Sequence, residues 1–175
     1  LEWGYRTVPF TPGLADANPV ARIPTLVTDD GDALGDSTLA CLYLNDQSTD
    51  RKVIPDDTSK WRMWSLYAVA DGMLEAQILM RAEHLRPQNI RSNSFIEKQK
   101  DRIERCLDAI ELRASELEGP LDLGQITVGV TLSYQDWREW LDDFRSGRPE
   151  LSAWYKNFAD RPSMRATEPQ ETPEH

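Results

Sequence analysis

The sequence predicts a two-part fold, a small α/β unit followed by an all-helical one, on three observations. Asp30-Gly31 lies between two short apolar runs, which signals a two-residue β-hairpin whose central positions both take positive φ. Residues 46–57 are polar and lack apolar periodicity, as a linker between domains does. From Thr58 onward apolar side chains recur at helical spacing almost to the end. The expected boundaries are 1–47 for the α/β part, 48–57 for the linker and 58–175 for the helical part.

The elements follow in order. Trp3 to Val8 reads as a strand, and Pro9, Pro12, Gly13 and Pro19 mark a loop with one short helical turn at Leu14–Ala17. After the hairpin, Asp36-Ser37 opens a helix over 37–45 carrying Leu39, Leu42 and Tyr43, with Asp36 or Ser37 as its N-cap. Ser59 is positioned to cap a long helix bearing Trp61, Trp64, Leu66, Val69, Met73, Leu74, Ile78 and Met80, which ends before Arg86-Pro87. A second long helix is expected from about Ser94 to Leu117, with Ile103, Leu107, Ile110 and Ala114 on one face and Gly119-Pro120 as its stop. Its charged residues, Glu97 to Arg105 among them, read as a solvated face.

The stretch Ile126, Val128, Val130 and Leu132 is strand-like by propensity. Asp122 and Gln125 have capping-box spacing just ahead of it, however, and two glycines allow close packing, so the stretch reads as a buried helix. Helical spacing continues from Ser133 to Phe144 through Trp137, Trp140 and Leu141, and Pro149 opens a further helix with Trp154, Tyr155 and Phe158. The six tryptophans read mainly as core at helical spacing.

Composition narrows the function. The formal charge is −10 and Lys and Arg are scattered singly, which argues against nucleic acid as a partner. No apolar run approaches a membrane span and no signal-peptide pattern begins the chain, so the protein reads as soluble. The two cysteines, Cys41 and Cys106, have neither disulfide-framework nor metal-ligand spacing and read as small buried hydrophobes. His84 sits in a charged helical stretch and His175 ends a Pro/Glu/Thr-rich tail, so no metal site is expected.

The residues between Arg22 and Ser37 carry the chemistry. The helix opening at Asp36-Ser37 presents free N–H groups and partial positive charge, which suit a carboxylate, while a neighbouring side-chain carboxylate suits an ammonium. Together they grip the zwitterionic end of an amino acid. Asn18-Pro19, Ile23-Pro24, Asp30-Gly31 and Asp36-Ser37, in that order, resemble the glutathione S-transferase superfamily. The Asp122 capping box and Arg161-Pro162-Ser163 are similar to that family's second domain, so the resemblance extends over almost the whole chain.

The resemblance implies a thioredoxin-like N-terminal domain, incomplete here, followed by an all-helical C-terminal domain. It implies that Ile23 pairs its backbone with the cysteinyl part of glutathione, that Pro24 is cis, that Asp36 and Ser37 hold the γ-glutamyl end, and that Arg22 lies near the anionic ligand. Tyr67, Ala70, Asp71, Leu74 and Arg81 are pocket-wall positions for a second substrate by the same analogy, with Asp71 equally readable as a charge at a helix edge. The family's catalytic hydroxyl or thiol is expected upstream of Leu1, and Tyr5 reads as a strand residue rather than its substitute.

The implied activity is a cytoplasmic, homodimeric, detoxifying glutathione transferase with glutathione as co-substrate, a small electrophile as partner and no metal. The alternatives are a non-catalytic binding or assembly module of the same fold, and a glutathione-dependent reductase, dehalogenase or isomerase.

Overall fold

A computed structural model describes residues 12–138 and 140–168. The strand expected at Trp3–Val8 with Tyr5, and the tail with His175, lie outside the described residues. The chain divides between Ile54 and Pro55 into two compact units.

In the first unit, α1 (Pro12–Ala17) precedes an antiparallel hairpin of β1 (Leu26–Val27) and β2 (Ala33–Leu34), with Leu26 opposite Leu34 and Val27 opposite Ala33. The turn differs from the two-residue form expected. Thr28 N–H donates to Asp32 O at 2.9 Å and Gly31 N–H to Thr28 O at 3.0 Å, so Asp29, Asp30 and Gly31 form the loop. Of these only Gly31 has positive φ, at 90°. A three-residue loop needs left-handed backbone at its last position alone, and Gly supplies it there.

Strand β2 runs through Gly35 into α2 (Ser37–Gln47), two residues longer than its apolar pattern implied. The chain after α2 folds back on it, because the Asn45 Oδ1 accepts the N–H groups of Val53 and Ile54 at 2.9 and 3.0 Å.

The second unit is helical: α3 (Lys60–His84), α4 (Asn93–Glu111), α5 (Leu123–Trp137), α6 (Pro149–Ala159) and α7 (Pro162–Ala166), with short 3-10 turns at Gln88–Ile90 and Ala114–Leu117. Leu66, Met73 and Met80 of α3 meet Ile103, Leu107 and Ile110 of α4 and Val128 and Leu132 of α5 in one buried core. Each such side chain contributes roughly 1.5–3 kcal/mol by leaving water.

Several local expectations are corrected here. Ser59 precedes α3 in helical conformation and makes no capping bond. Instead the Asp57 Oδ1 accepts both its N–H and its hydroxyl, at 2.8 and 2.5 Å. Helix α4 starts at Asn93 behind a Ser92 cap and stops at Glu111 rather than Leu117. The chain then tightens into the 3-10 turn, where Arg113 pairs with Glu116 and donates to Ser65 Oγ and Arg62 O on α3.

Helix α5 forms despite its strand-like residues. Asp122 accepts the Gln125 N–H at 2.8 Å, but the Gln125 side chain donates to Pro120 O instead of closing a reciprocal box. Its two glycines sit at close contacts: a Cβ on Gly124 would come 3.0 Å from Met63 O, and one on Gly129 would come 2.2 Å from the Phe158 ring. The helix ends at Trp137 rather than running to Phe144, because Arg138 turns extended and Gln135 Nε2 donates to Asp142 O at 2.7 Å. Phe144 reaches the core from that reversal, not from a helix.

The expected packing of tryptophans and cysteines is also adjusted. Trp61 is 68% exposed, and both cysteines are half-buried. No helix among the described residues is long and apolar enough to cross a membrane.

Candidate functional site

Five of the predicted site residues lie on two neighbouring pieces of the first unit, the loop before β1 and the start of α2. Ile23–Pro24 is a cis peptide. Ile23 is 75% exposed, and its backbone N–H and C=O have no partner among the described residues. Ile23 stands at a bend ahead of β1, with both backbone groups open to a ligand that offers a peptide's donor and acceptor. Arg22 is exposed, and its carbonyl is held by Thr25 Oγ1 at 2.7 Å.

Asp36 is the N-cap of α2, in extended conformation, with Oδ1 accepting the Leu39 N–H at 2.7 Å. That bond orients the carboxylate and leaves its second oxygen without a partner among the described residues. Ser37 is exposed at the first helical position, where N–H groups lack intrahelical acceptors. A carboxylate oxygen for an ammonium thus stands beside helix-end donors for a carboxylate.

Asn18 joins the two pieces. It is 5% exposed, its Nδ2 donates to Arg22 O at 3.3 Å and Thr25 Oγ1 at 3.1 Å, and its Oδ1 accepts the Val20 N–H at 3.0 Å. It also lies flat against Gly35, where a Cβ would come 2.8 Å from Nδ2. Ala21 is held inside this loop at φ 51°, the left-handed region. Asn18, Thr25 and Gly35 have no site role in the sequence reading. The signal for them was the Asn18-Pro19 pair itself, a buried amide next to a loop that needs internal donors.

The one thiol near this site is ill-suited to attack, since burial, and then the Asp36 charge, push Cys41 above its ordinary pKa. Burial likewise raises Cys106.

The second-substrate positions all fall on α3. Ala70 is fully buried in the helical core and its carbonyl accepts from Thr131 Oγ1 at 3.4 Å, so it has no open face for a ligand. Tyr67 and Leu74 are half-buried, and Asp71 and Arg81 are exposed.

Known proteins are similar to this chain in sequence and fold. The family model described as the glutathione S-transferase N-terminal domain matches residues 1–47. A glutathione transferase family member from Pseudomonas fluorescens Pf-5, crystallised with glutathione, is 34% identical with a TM-score of 0.89, over 94% of this chain and 84% of that one. The chain belongs to the glutathione S-transferase family. The Pseudomonas transferase with bound S-(propanoic acid)-glutathione matches at 35% identity and a TM-score of 0.85, with the same coverage of 94% and 84%. The uncharacterized GST-like protein YibF of Escherichia coli (strain K12) is 27% identical over 161 residues, 90% of this chain and 80% of YibF. The fold class is that of a glutathione S-transferase, a thioredoxin-like N-terminal domain followed by a helical one.

Proposed function

We propose that this protein is a glutathione transferase that binds glutathione along Ile23 and the start of α2 and passes its sulfur to a small, largely apolar electrophile. The carrying observation is the backbone of Ile23, unpaired among the described residues and tied through Asn18 and Gly35 to the Asp36-Ser37 helix tip. In this reading Ile23 exchanges two backbone hydrogen bonds with the cysteinyl unit. The second Asp36 oxygen takes the γ-glutamyl ammonium, Ser37 its carboxylate, and Arg22 adds a nearby cation. The glutathione complexes of the 34–35% identical Pseudomonas transferase support the first step, and its thioether ligand supports room for a substituent on sulfur.

In the transfer itself the thiol loses its proton to solvent and the thiolate forms a C–S bond to the electrophilic carbon. A leaving group departs with its electron pair, or an activated double bond takes up the proton. Tyr67, Asp71, Leu74 and Arg81 remain the proposed contacts for the electrophile. Ala70 is withdrawn, because it is sealed in the core. Exchange chemistry through Cys41 is disfavoured, since its thiol pKa is raised rather than lowered.

Titration calorimetry with glutathione tests the site. Asp36→Ala is expected to weaken binding at least several-fold, and an unchanged affinity would refute the assignment. Turnover of a chromogenic aryl halide separates a transferase from a binding module: retention on immobilised glutathione with no turnover favours the module.

The working form in this reading is a cytoplasmic homodimer joined through α3, which leaves Trp61 68% and Ile78 51% exposed. Light scattering should give twice the chain mass, and Ile78→Glu should reduce it; a monomeric wild-type protein at micromolar concentration contradicts the dimer.

A further inference from the structure

The helical unit holds a second feature that the glutathione reading does not use. At the last turn of α3 the His84 ring lies on the Trp140 indole, with 4.7 Å between centroids and 31° between planes. Trp140 belongs to the reversal after α5, and that reversal is held from three helices. Gln135 of α5 donates to Asp142 O at 2.7 Å, Lys100 of α4 lies 3.6 Å from the Asp142 carboxylate, and α3 supplies His84. Imidazole is the side chain whose ordinary pKa falls between pH 5 and 8.

The surroundings of His84 suit its neutral form. Its Nε2 is buried and has no hydrogen-bond partner among the described residues. An imidazolium bears N–H at both ring nitrogens, so protonation in place leaves a donor at this atom without an acceptor. Cations also face the ring. Arg91, whose Nη2 donates to the His84 carbonyl at 2.6 Å, and Lys100 both oppose a positive charge there. The neighbouring carboxylates are engaged elsewhere: Glu83 takes the Ser92 N–H and Arg86, and Asp142 faces Lys100. Burial, and then these two cations, hold the imidazole below its ordinary value. Stacking of an imidazolium on an indole pulls the other way. It is one favourable contact against an unmatched N–H, burial and two like charges.

We propose that the His84–Trp140 contact is a pH-sensitive switch: the neutral ring holds Trp140 against α3, and on acidification the ring takes a proton from solvent, turns out into water and releases Trp140–Asp142. Because the folded chain protonates His84 less readily than the unfolded one, the contact stabilises fully above about 6.5 and is lost as pH falls through the lower folded value. The Glu83 carboxyl, next in the chain, is held below the carboxylate range, so its step lies at more acid pH.

The test uses the full chain. Its two imidazoles are His84 and His175, so proton NMR can follow both ring C2–H signals, assigned with His84→Gln, while tryptophan emission is read on the same samples. Between pH 8 and about 5, His84 is expected to titrate with a midpoint of about 5–6, and emission to move to longer wavelength with the same midpoint. Trp140→Phe and His84→Gln should each abolish the emission step. Lys100→Gln, which keeps both rings and removes one opposing cation, should raise both midpoints towards about 6.5. An emission step that persists in Trp140→Phe or His84→Gln overturns the proposal. So does a His84 midpoint at or above about 6.5, a ring that takes no proton above about pH 5, or midpoints unmoved in Lys100→Gln. If His84→Gln does not fold, the wild-type titration and Lys100→Gln still decide the matter. None of these readouts depends on glutathione, so this inference fails separately from the transferase reading.

Discussion

Asn18 decides the candidate site at the residue scale. One buried amide satisfies Arg22 O, Thr25 Oγ1 and the Val20 N–H, and its plane rests on Gly35. Asn18→Ala removes these bonds and opens a gap against Gly35. The change is expected to cost about 1–3 kcal/mol in urea unfolding, because the Val20 N–H is left unsatisfied in a part-buried setting. Glutathione affinity by calorimetry should fall several-fold with it, since the Ile23 bend and the Asp36 tip lose their common brace. A variant that unfolds more easily yet binds glutathione at full strength would show that Asn18 stabilises the unit without positioning the site. The Ile23–Pro24 junction and the cap ahead of α2 were legible in the sequence because their signals are local, an Ile-Pro pair and an acidic residue before a helix. The brace was not, since nothing in the sequence says that Asn18 packs on a glycine seventeen residues away.

Among the elements, the charged residues of α4 were read as a solvated face, and tertiary contacts give part of that face another use. Glu104 and Asp108 each lie 2.6 Å from the buried Arg148 guanidinium, and Glu111 accepts the Glu150 and Leu151 N–H groups at the start of α6. Carboxylates at i, i+4 and i+7 on one helix thus anchor the N-terminus of another, in accord with its positive end.

A similar device joins α3 to α4. Glu83 Oε1 accepts the Ser92 N–H at 2.6 Å, and Ser92 in turn caps α4 through the Phe95 N–H. The Ser92 amide, and with it Arg86, holds the Glu83 carboxyl below its ordinary pKa. A carboxyl depressed in the folded state adds stability above the unfolded carboxylate value of about 4.3, and that stability disappears as pH falls through the lower folded value. The urea midpoint is therefore expected to drop as the solution is acidified below that value, and Glu83→Gln should flatten this part of the profile. An unaltered acid limb in Glu83→Gln would exclude the linkage.

For the molecule as a whole, the charge of −10 opposes an anionic ligand, so local geometry must overcome the long-range field. Between about 0.01 M and 0.15 M salt the Debye length falls from about 30 Å to about 8 Å. Stopped-flow association of glutathione should therefore speed up over that range, the reverse of a cation-steered site. A rate that falls with salt would mean that local cations such as Arg22 dominate the approach.

The class of fold, the helix start at Asp36-Ser37, the Asp122 cap and the family could be read from the chain alone, because caps and apolar periodicity are properties of neighbours in the sequence. Tertiary structure decided the rest. The helix of α5 was read from its cap, but packing decided what its glycines admit, Met63 and Phe158, and helical spacing after Trp137 gave way to a reversal held by Gln135. That reversal is also what sets Trp140 on His84. Such outcomes depend on which distant groups compete for the same hydrogen bonds and the same volume, and only the packed chain expresses that competition.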